Sequence, residues 1–194
     1  MSDKFTDKIT AVFGEHRRLF DQFEKSGAAV AIAGAVKIIV ESLRNGGTVY
    51  ICGNGGSAAD AQHIAGELVG RFLKERKGYR AVALTTDTSI LTSIGNDYSF
   101  DDIYSRQVEA LVRAGDVLIA LSTSGSSKNI LAAAKVARIG GAKVVAFTGK
   151  SNSELEKMAE VTICAAAPTS AQSQELHQVA YHLICGLVEE SLCG

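Results

Sequence analysis

Two hydrophobic patterns follow one another along this chain. Phe5, Ile9, Val12, Phe13, Phe20 and Phe23 recur at helical spacing within residues 4–25, which gives an amphipathic helix one apolar stripe. Residues 27–45 predict a second, more uniformly apolar helix, stopped by Gly46 and Gly47. Beyond it, short apolar runs at 48–52, 80–84, 117–121, 143–147 and 161–165 read as strands. Helical patterns fall between them at about 57–73, 100–113, 127–139 and 153–159, with a long final helix at about 171–192. Strands that are apolar on both faces and alternate with helices indicate a parallel sheet covered on both sides, with right-handed crossovers. The expected fold class is therefore α/β. It is a three-layer α/β/α sandwich with a five-stranded parallel sheet and extra N-terminal helices, as one domain over 1–194. In such sheets ligands bind beyond the carboxyl ends of the strands.

Composition narrows the functional classes. The 194 residues are 46% hydrophobic and 21% charged, with a formal net charge of −1, the profile of a folded soluble domain. There is no basic stripe, so nucleic-acid binding lacks its electrostatic footprint. No apolar run approaches the roughly 20 residues needed to span a bilayer, and the charged N-terminal stretch does not resemble a signal peptide. Cys52, Cys164, Cys185 and Cys193 show no CxxC spacing. We expect reduced, mostly buried thiols and a cytoplasmic protein.

The candidate chemistry starts in two small-residue loops, each between a strand and a helix. In the second loop, Ser122, Thr123, Ser124, Ser126 and Ser127 cluster around Gly125. A helix N-terminus behind such a loop presents free N–H groups and the positive end of a dipole, a natural seat for a phosphate. One N-cap needs one hydroxyl, and this loop has several. No Walker pattern is present, which argues against a nucleotide triphosphate. The first loop, Gly53-Asn54-Gly55-Gly56-Ser57-Ala58, formally fits a dinucleotide fingerprint, with Asp87 as a possible ribose partner. That motif alone is weak, since any tight strand-to-helix turn selects glycine.

His63 and Glu67 lie at i and i+4 on the helix that opens from the first loop, and so share one face. On the last helix Gln174, Gln178 and His182 recur every fourth residue. A polar stripe of this kind is an exposed helix face or part of a site, and for His177 or Gln178 alone the exposed face is preferred. Together His63, Glu67, Gln174 and His182 provide two nitrogens and two oxygens. That set suits Zn²⁺ or another borderline divalent ion. Asn96 and Asp97 form a polar pair suited to a turn or cap. Arg71 and Arg106 are possible anion partners or plain surface charges.

Four ordered segments, CGNGGSAADAQHIAGEL, ALTTDTSILTSIGNDYSF, DVLIALSTSGSSKNI and QELHQVAYH, make the chain similar to the phosphoheptose isomerase family of sugar isomerase (SIS) domain proteins. The resemblance covers nearly the whole chain. It implies a flavodoxin-like sandwich in which residues 1–46 help pack the core and a homotetramer, with active sites near subunit interfaces. It implies that Asn54, Gly55, Gly56, Asn96 and Asp97 bind a phosphosugar substrate, and that Ser122, Thr123, Ser124 and Ser127 bind its phosphate. It implies a zinc ion on His63, Glu67, Gln174 and His182, with Glu67 and Gln174 also touching substrate. The implied reaction interconverts a 2-ketose phosphate and an aldose phosphate through a cis-enediol, on the way to the heptose of lipopolysaccharide core or related glycans. In it Glu67 is the candidate base and His182 the candidate acid. A sister branch of the fold associates with a replication-initiation protein without catalysis. That branch resembles this chain in the STSG-type loop but does not keep the His and Glu of the first-loop helix, so the enzyme reading is preferred.

Overall fold

The five strands are β1 (Val49–Gly53), β2 (Ala81–Ala83), β3 (Val117–Ser122), β4 (Lys143–Thr148) and β5 (Val161–Cys164). They lie in the order β2-β1-β3-β4-β5, and every pairing is parallel. The computed structural model describes residues 2–193, so positions 1 and 194 of the expected domain lie outside the described residues. The helices are α1 (Ser2–Lys25), α2 (Ala28–Arg44), α3 (Gly56–Val69), α4 (Thr88–Asp97), α5 (Ser105–Leu111), α6 (Lys128–Ile139) and α7 (Ser170–Cys193). The expected α/β sandwich with N-terminal helices is what the chain forms.

Side-chain alternation along each strand divides the core into two layers. Val49, Ile51, Val117, Ile119, Val145 and Phe147 face one way, against Ile39 of α2, Ile64 and Leu68 of α3, and Ile184 and Val188 of α7. Tyr50, Cys52, Leu118, Ala120 and Val144 face the other way, against Val108 of α5 and Ile130 and Ala134 of α6. Burial on both faces is why these strands read as unbroken apolar runs.

The chain leaves β1 toward β2 at one edge, then returns past β1 to build β3, β4 and β5. The strand order therefore reverses between β1 and β3, whose last paired residues are Gly53 and Leu121. A crevice opens at such a reversal, beyond the strands' carboxyl ends. The two small-residue loops leave β1 and β3 at that point.

Several boundaries differ from those the pattern predicts. The helix expected over 57–73 stops at Val69, because the chain beyond it is claimed by a buried carboxylate. Glu189 of α7 accepts hydrogen bonds from the backbone N–H groups of Phe72, Leu73 and Lys74 and from Arg76 Nε. Arg76 in turn donates to the carbonyls of Glu67, Leu68 and Gly70. Residues 88–97 form α4, with Asp87 as its N-cap accepting from Ile90 N at 2.9 Å. The helix expected over 100–113 splits into a 3-10 turn and α5, and that over 153–159 shrinks to one 3-10 turn at Glu156–Met158. All four cysteines are free; Cys52 and Cys185 are buried, Cys164 half-buried and Cys193 exposed. Among the described residues no single helix is long and apolar enough to cross a membrane.

Candidate active site

The first loop follows directly from β1. At Gly56 an added Cβ would stand 2.6 Å from Gln174 Nε2, so the bare backbone here is what lets the Gln174 amide lie directly against the loop. Gln174 Nε2 donates to Ser57 Oγ at 3.4 Å. Asn54 and Asn129 exchange two amide hydrogen bonds of 2.9 Å each. That pair ties the first loop to the first turn of α6, behind the second loop.

The second loop gathers hydroxyls. Ser122 Oγ lies 3.0 Å from Ser127 Oγ and 3.3 Å from Ser124 Oγ, and Ser126 N donates to Ser124 Oγ at 3.2 Å. Thr123 Oγ1 donates to Ser170 Oγ, at the start of α7, at 3.3 Å. Gly125 has φ +64, and a Cβ there would stand 2.3 Å from Ser153 Cβ. Backbone conformation and space therefore both demand glycine. These neutral donors sit at the N-terminus of α6, where the helix dipole favours an anion.

Helices α3 and α7 lie side by side and run the same way. Ser57 meets Gln174, Asp60 meets Tyr181, and His63 meets both Tyr181 and His182. His63 Nε2 is 3.0 Å from Glu67 Oε1 and 3.3 Å from His182 Nε2. One ligand atom from each of His63, Glu67 and His182 falls within 4.8 Å of the others. Three donors converging in this way can hold one divalent metal and leave a position for substrate. Phe72 stacks on the His182 ring at 5.7 Å between centroids. Partial burial, and then the neighbouring His63, hold the His182 pKa below the ordinary imidazole value, against the pull of Glu67.

Not every expected residue reaches this cluster. Gln174 is eight residues before His182, about 12 Å along the helix axis, with its amide at the first loop. Asn96 and Asp97 end α4, exposed, with Asn96 Nδ2 donating to Asp97 Oδ1 at 2.8 Å. The earlier residues of α4, Leu91, Thr92 and Gly95, line a cavity of about 530 Å³ together with Asn54, Gly55 and Thr85. Asp97 lines a different depression, shared with Arg106. Asp87, the possible ribose partner, is exposed and caps α4 through Oδ1. Arg71 pairs with Glu75, and Arg106 stacks over Tyr98.

His177 corrects the preference for an exposed face. It is fully buried, with Nε2 3.0 Å from the Thr148 carbonyl, and burial pulls its pKa down to about 4. Gln178 is exposed. Asp60, Tyr181 and Phe72 surround the His63 cluster without being marked by the sequence pattern. Tyr181 passes for one more apolar position of α7, and the only signal for Asp60 is its place one turn before His63.

The model of the SIS domain family matches residues 13–149. The phosphoheptose isomerase of Rhodospirillum rubrum is 52% identical over 166 residues, 86% of this chain and 88% of that protein. The phosphoheptose isomerase of a Roseiflexus species is 47% identical over 195 residues, covering 98% of this chain and 96% of that protein. The solved phosphoheptose isomerase of Neisseria gonorrhoeae superposes with a TM-score of 0.89 at 40% identity, over 96% of this chain and 99% of that one. The chain belongs to the phosphoheptose isomerase family of SIS-domain proteins.

Proposed function

We propose that this protein isomerises sedoheptulose 7-phosphate to the aldose D-glycero-D-manno-heptose 7-phosphate, in the route to the heptose of lipopolysaccharide core or related surface glycans. The observation that carries the reading is the meeting of His63, Glu67 and His182, from helices far apart in sequence, within 4.8 Å. The hydroxyl-lined loop before α6 takes the phosphate. The first loop, with Asn54, Gly55 and Gly56, takes the middle of the sugar, and the helix cluster takes the reacting carbons.

Ketose–aldose conversion moves one proton between C1 and C2 and exchanges protons on the two oxygens. Glu67 takes the proton from C1 and returns it to C2, giving a cis-enediol in between. His182, through the ring nitrogen that is not turned to the metal cluster, serves the oxygens as acid and then base. His63, Glu67 and His182 would hold a zinc ion, the imidazole and carboxylate donors suiting that metal, while Gln174, whose amide lies at the first loop, would contact substrate. When bound, such an ion supplies Lewis-acid polarisation of the substrate carbonyl. Glu67 Oε1 faces His63 Nε2, and the second carboxylate oxygen would be the one to carry the proton.

The reading places the protein in the cytoplasm as a homotetramer, with Asn96 and Asp97 contributing substrate contacts near a subunit interface. Phe5, Ile9, Val12 and Phe13 of α1 are all exposed, which supports a partner surface there. The non-catalytic replication-partner alternative is disfavoured by the intact His63–Glu67 pair and by relatives named as isomerases. Turnover of sedoheptulose 7-phosphate by the purified protein tests the proposal. Aldose phosphate should form, chelation should abolish its formation, and added Zn²⁺ should restore it. A zinc-replete protein that binds the ketose phosphate without converting it would end the enzyme reading.

A further inference from the structure

The His63 ring has a second neighbour besides the metal-facing groups. Its Nδ1 lies 3.0 Å from the Tyr181 hydroxyl, and that hydroxyl donates to Asp60 Oδ1 at 3.3 Å. Tyr181 is buried, and the other oxygen of Asp60 is buried with no hydrogen-bond partner among the described residues. Asp60 precedes His63 by one helical turn, so both project from the same face of α3.

A neutral imidazole has one N–H, and the partner of one nitrogen decides which carries it. The Tyr181 hydroxyl spends its one proton on Asp60 Oδ1, so the phenol oxygen accepts from His63 Nδ1–H. The lone pair of His63 is then left for Nε2, where a bound cation would stand in place of the proton that Glu67 Oε1 would otherwise accept. We infer that Asp60 and Tyr181 form a relay that fixes the tautomer and ring orientation of His63 and thereby presents its Nε2 to a divalent metal. Both are positioning residues. The inference rests on the reading of His63, Glu67 and His182 as a metal site. Outer partners of ligating histidines commonly govern metal affinity by roughly 10–100-fold.

Co²⁺ titration of the metal-free protein, followed by its visible absorption, tests the relay without recourse to activity. Tyr181→Phe keeps the ring that packs edge-on against His63 and His182 at 5.4 and 4.9 Å, and removes only the hydroxyl. It should weaken Co²⁺ binding roughly 10–100-fold. Asp60→Ala should do the same and serves if the tyrosine variant folds poorly. Asp60→Asn, which keeps a carbonyl acceptor, should recover part of the affinity. The double variant Tyr181→Phe/Asp60→Ala should be no weaker than the worse single one, because both changes break one chain of bonds. Wild-type Co²⁺ affinity in folded Tyr181→Phe and Asp60→Ala overturns the relay alone. Failure of the wild-type protein to bind Co²⁺ overturns the metal reading and the relay with it.

Discussion

Ser124 touches Ser122 Oγ, Ser126 N and Ser126 Oγ at 3.2–3.3 Å, so its hydroxyl helps shape the loop proposed to seat the phosphate. A phosphate contact is made equally in the ground state and the transition state, and its loss therefore appears mainly in KM. Ser124→Ala should raise KM for the phosphosugar roughly tenfold, the value of one hydrogen bond to a charged group, with kcat much less affected. A fall in kcat at constant KM would move Ser124 to the reacting end. His177 works on stability instead. The unfolded chain takes up a proton at this residue near pH 6.5, whereas the folded chain resists until about pH 4. The unfolded state therefore binds more protons in that window, and stability falls as pH drops through it and levels off below. The loss attributable to this residue is roughly 3 kcal/mol. Urea unfolding of His177→Gln between those pH values should show a flatter slope, and an unchanged slope would assign the acid sensitivity to other groups.

Between residues and whole fold stand α3, α7 and the segment joining α3 to β2. Glu189 and Arg76 are 2% and 5% exposed at their side chains. Burial disfavours the charged carboxylate, but three backbone N–H groups and Arg76 outweigh it and hold the Glu189 pKa down at about 2. Removing one partner of a buried pair leaves the other uncompensated, at a cost of about 3–5 kcal/mol. Glu189→Ala should lose that much in denaturant unfolding and expose residues 70–78 to faster amide exchange, whereas a loss below 1 kcal/mol would make the pair incidental. This contact also marks a limit of legibility. Strand positions and the final helix could be read because apolar periodicity is local. The end of α3 could not, since the carboxylate that captures its following residues lies more than a hundred positions later. In α7 the four-residue spacing of Gln174, Gln178 and His182 was visible, but not that His177 turns inward to the Thr148 carbonyl. Nor did the pattern reveal that the Tyr181 hydroxyl reaches His63.

At the scale of the molecule, the strand order puts the two loops side by side at the reversal between β1 and β3, and the Asn54–Asn129 pair locks them together. Parallel packing of α3 against α7 then carries the site from the loops to the imidazoles, with Ser57–Gln174 at one end and His63–His182 further along. Both loops, His63, Glu67 and His182 were readable from sequence, because loop chemistry and i,i+4 spacing are local signals. Their convergence is expected from the donor set and from the family resemblance, but spacing within one helix carries no trace of how two distant helices align, and Gln174 accordingly falls at the first loop instead. In the proposed reaction this convergence performs proton transfer, with Glu67 as the base. The most direct measurement is steady-state conversion of sedoheptulose 7-phosphate by wild-type protein and by Glu67→Gln, each zinc-replete and shown to be folded. If Glu67 is the base, kcat falls by roughly 10²–10⁴-fold in the variant, whereas turnover within a few-fold of wild type removes Glu67 from the proton transfer.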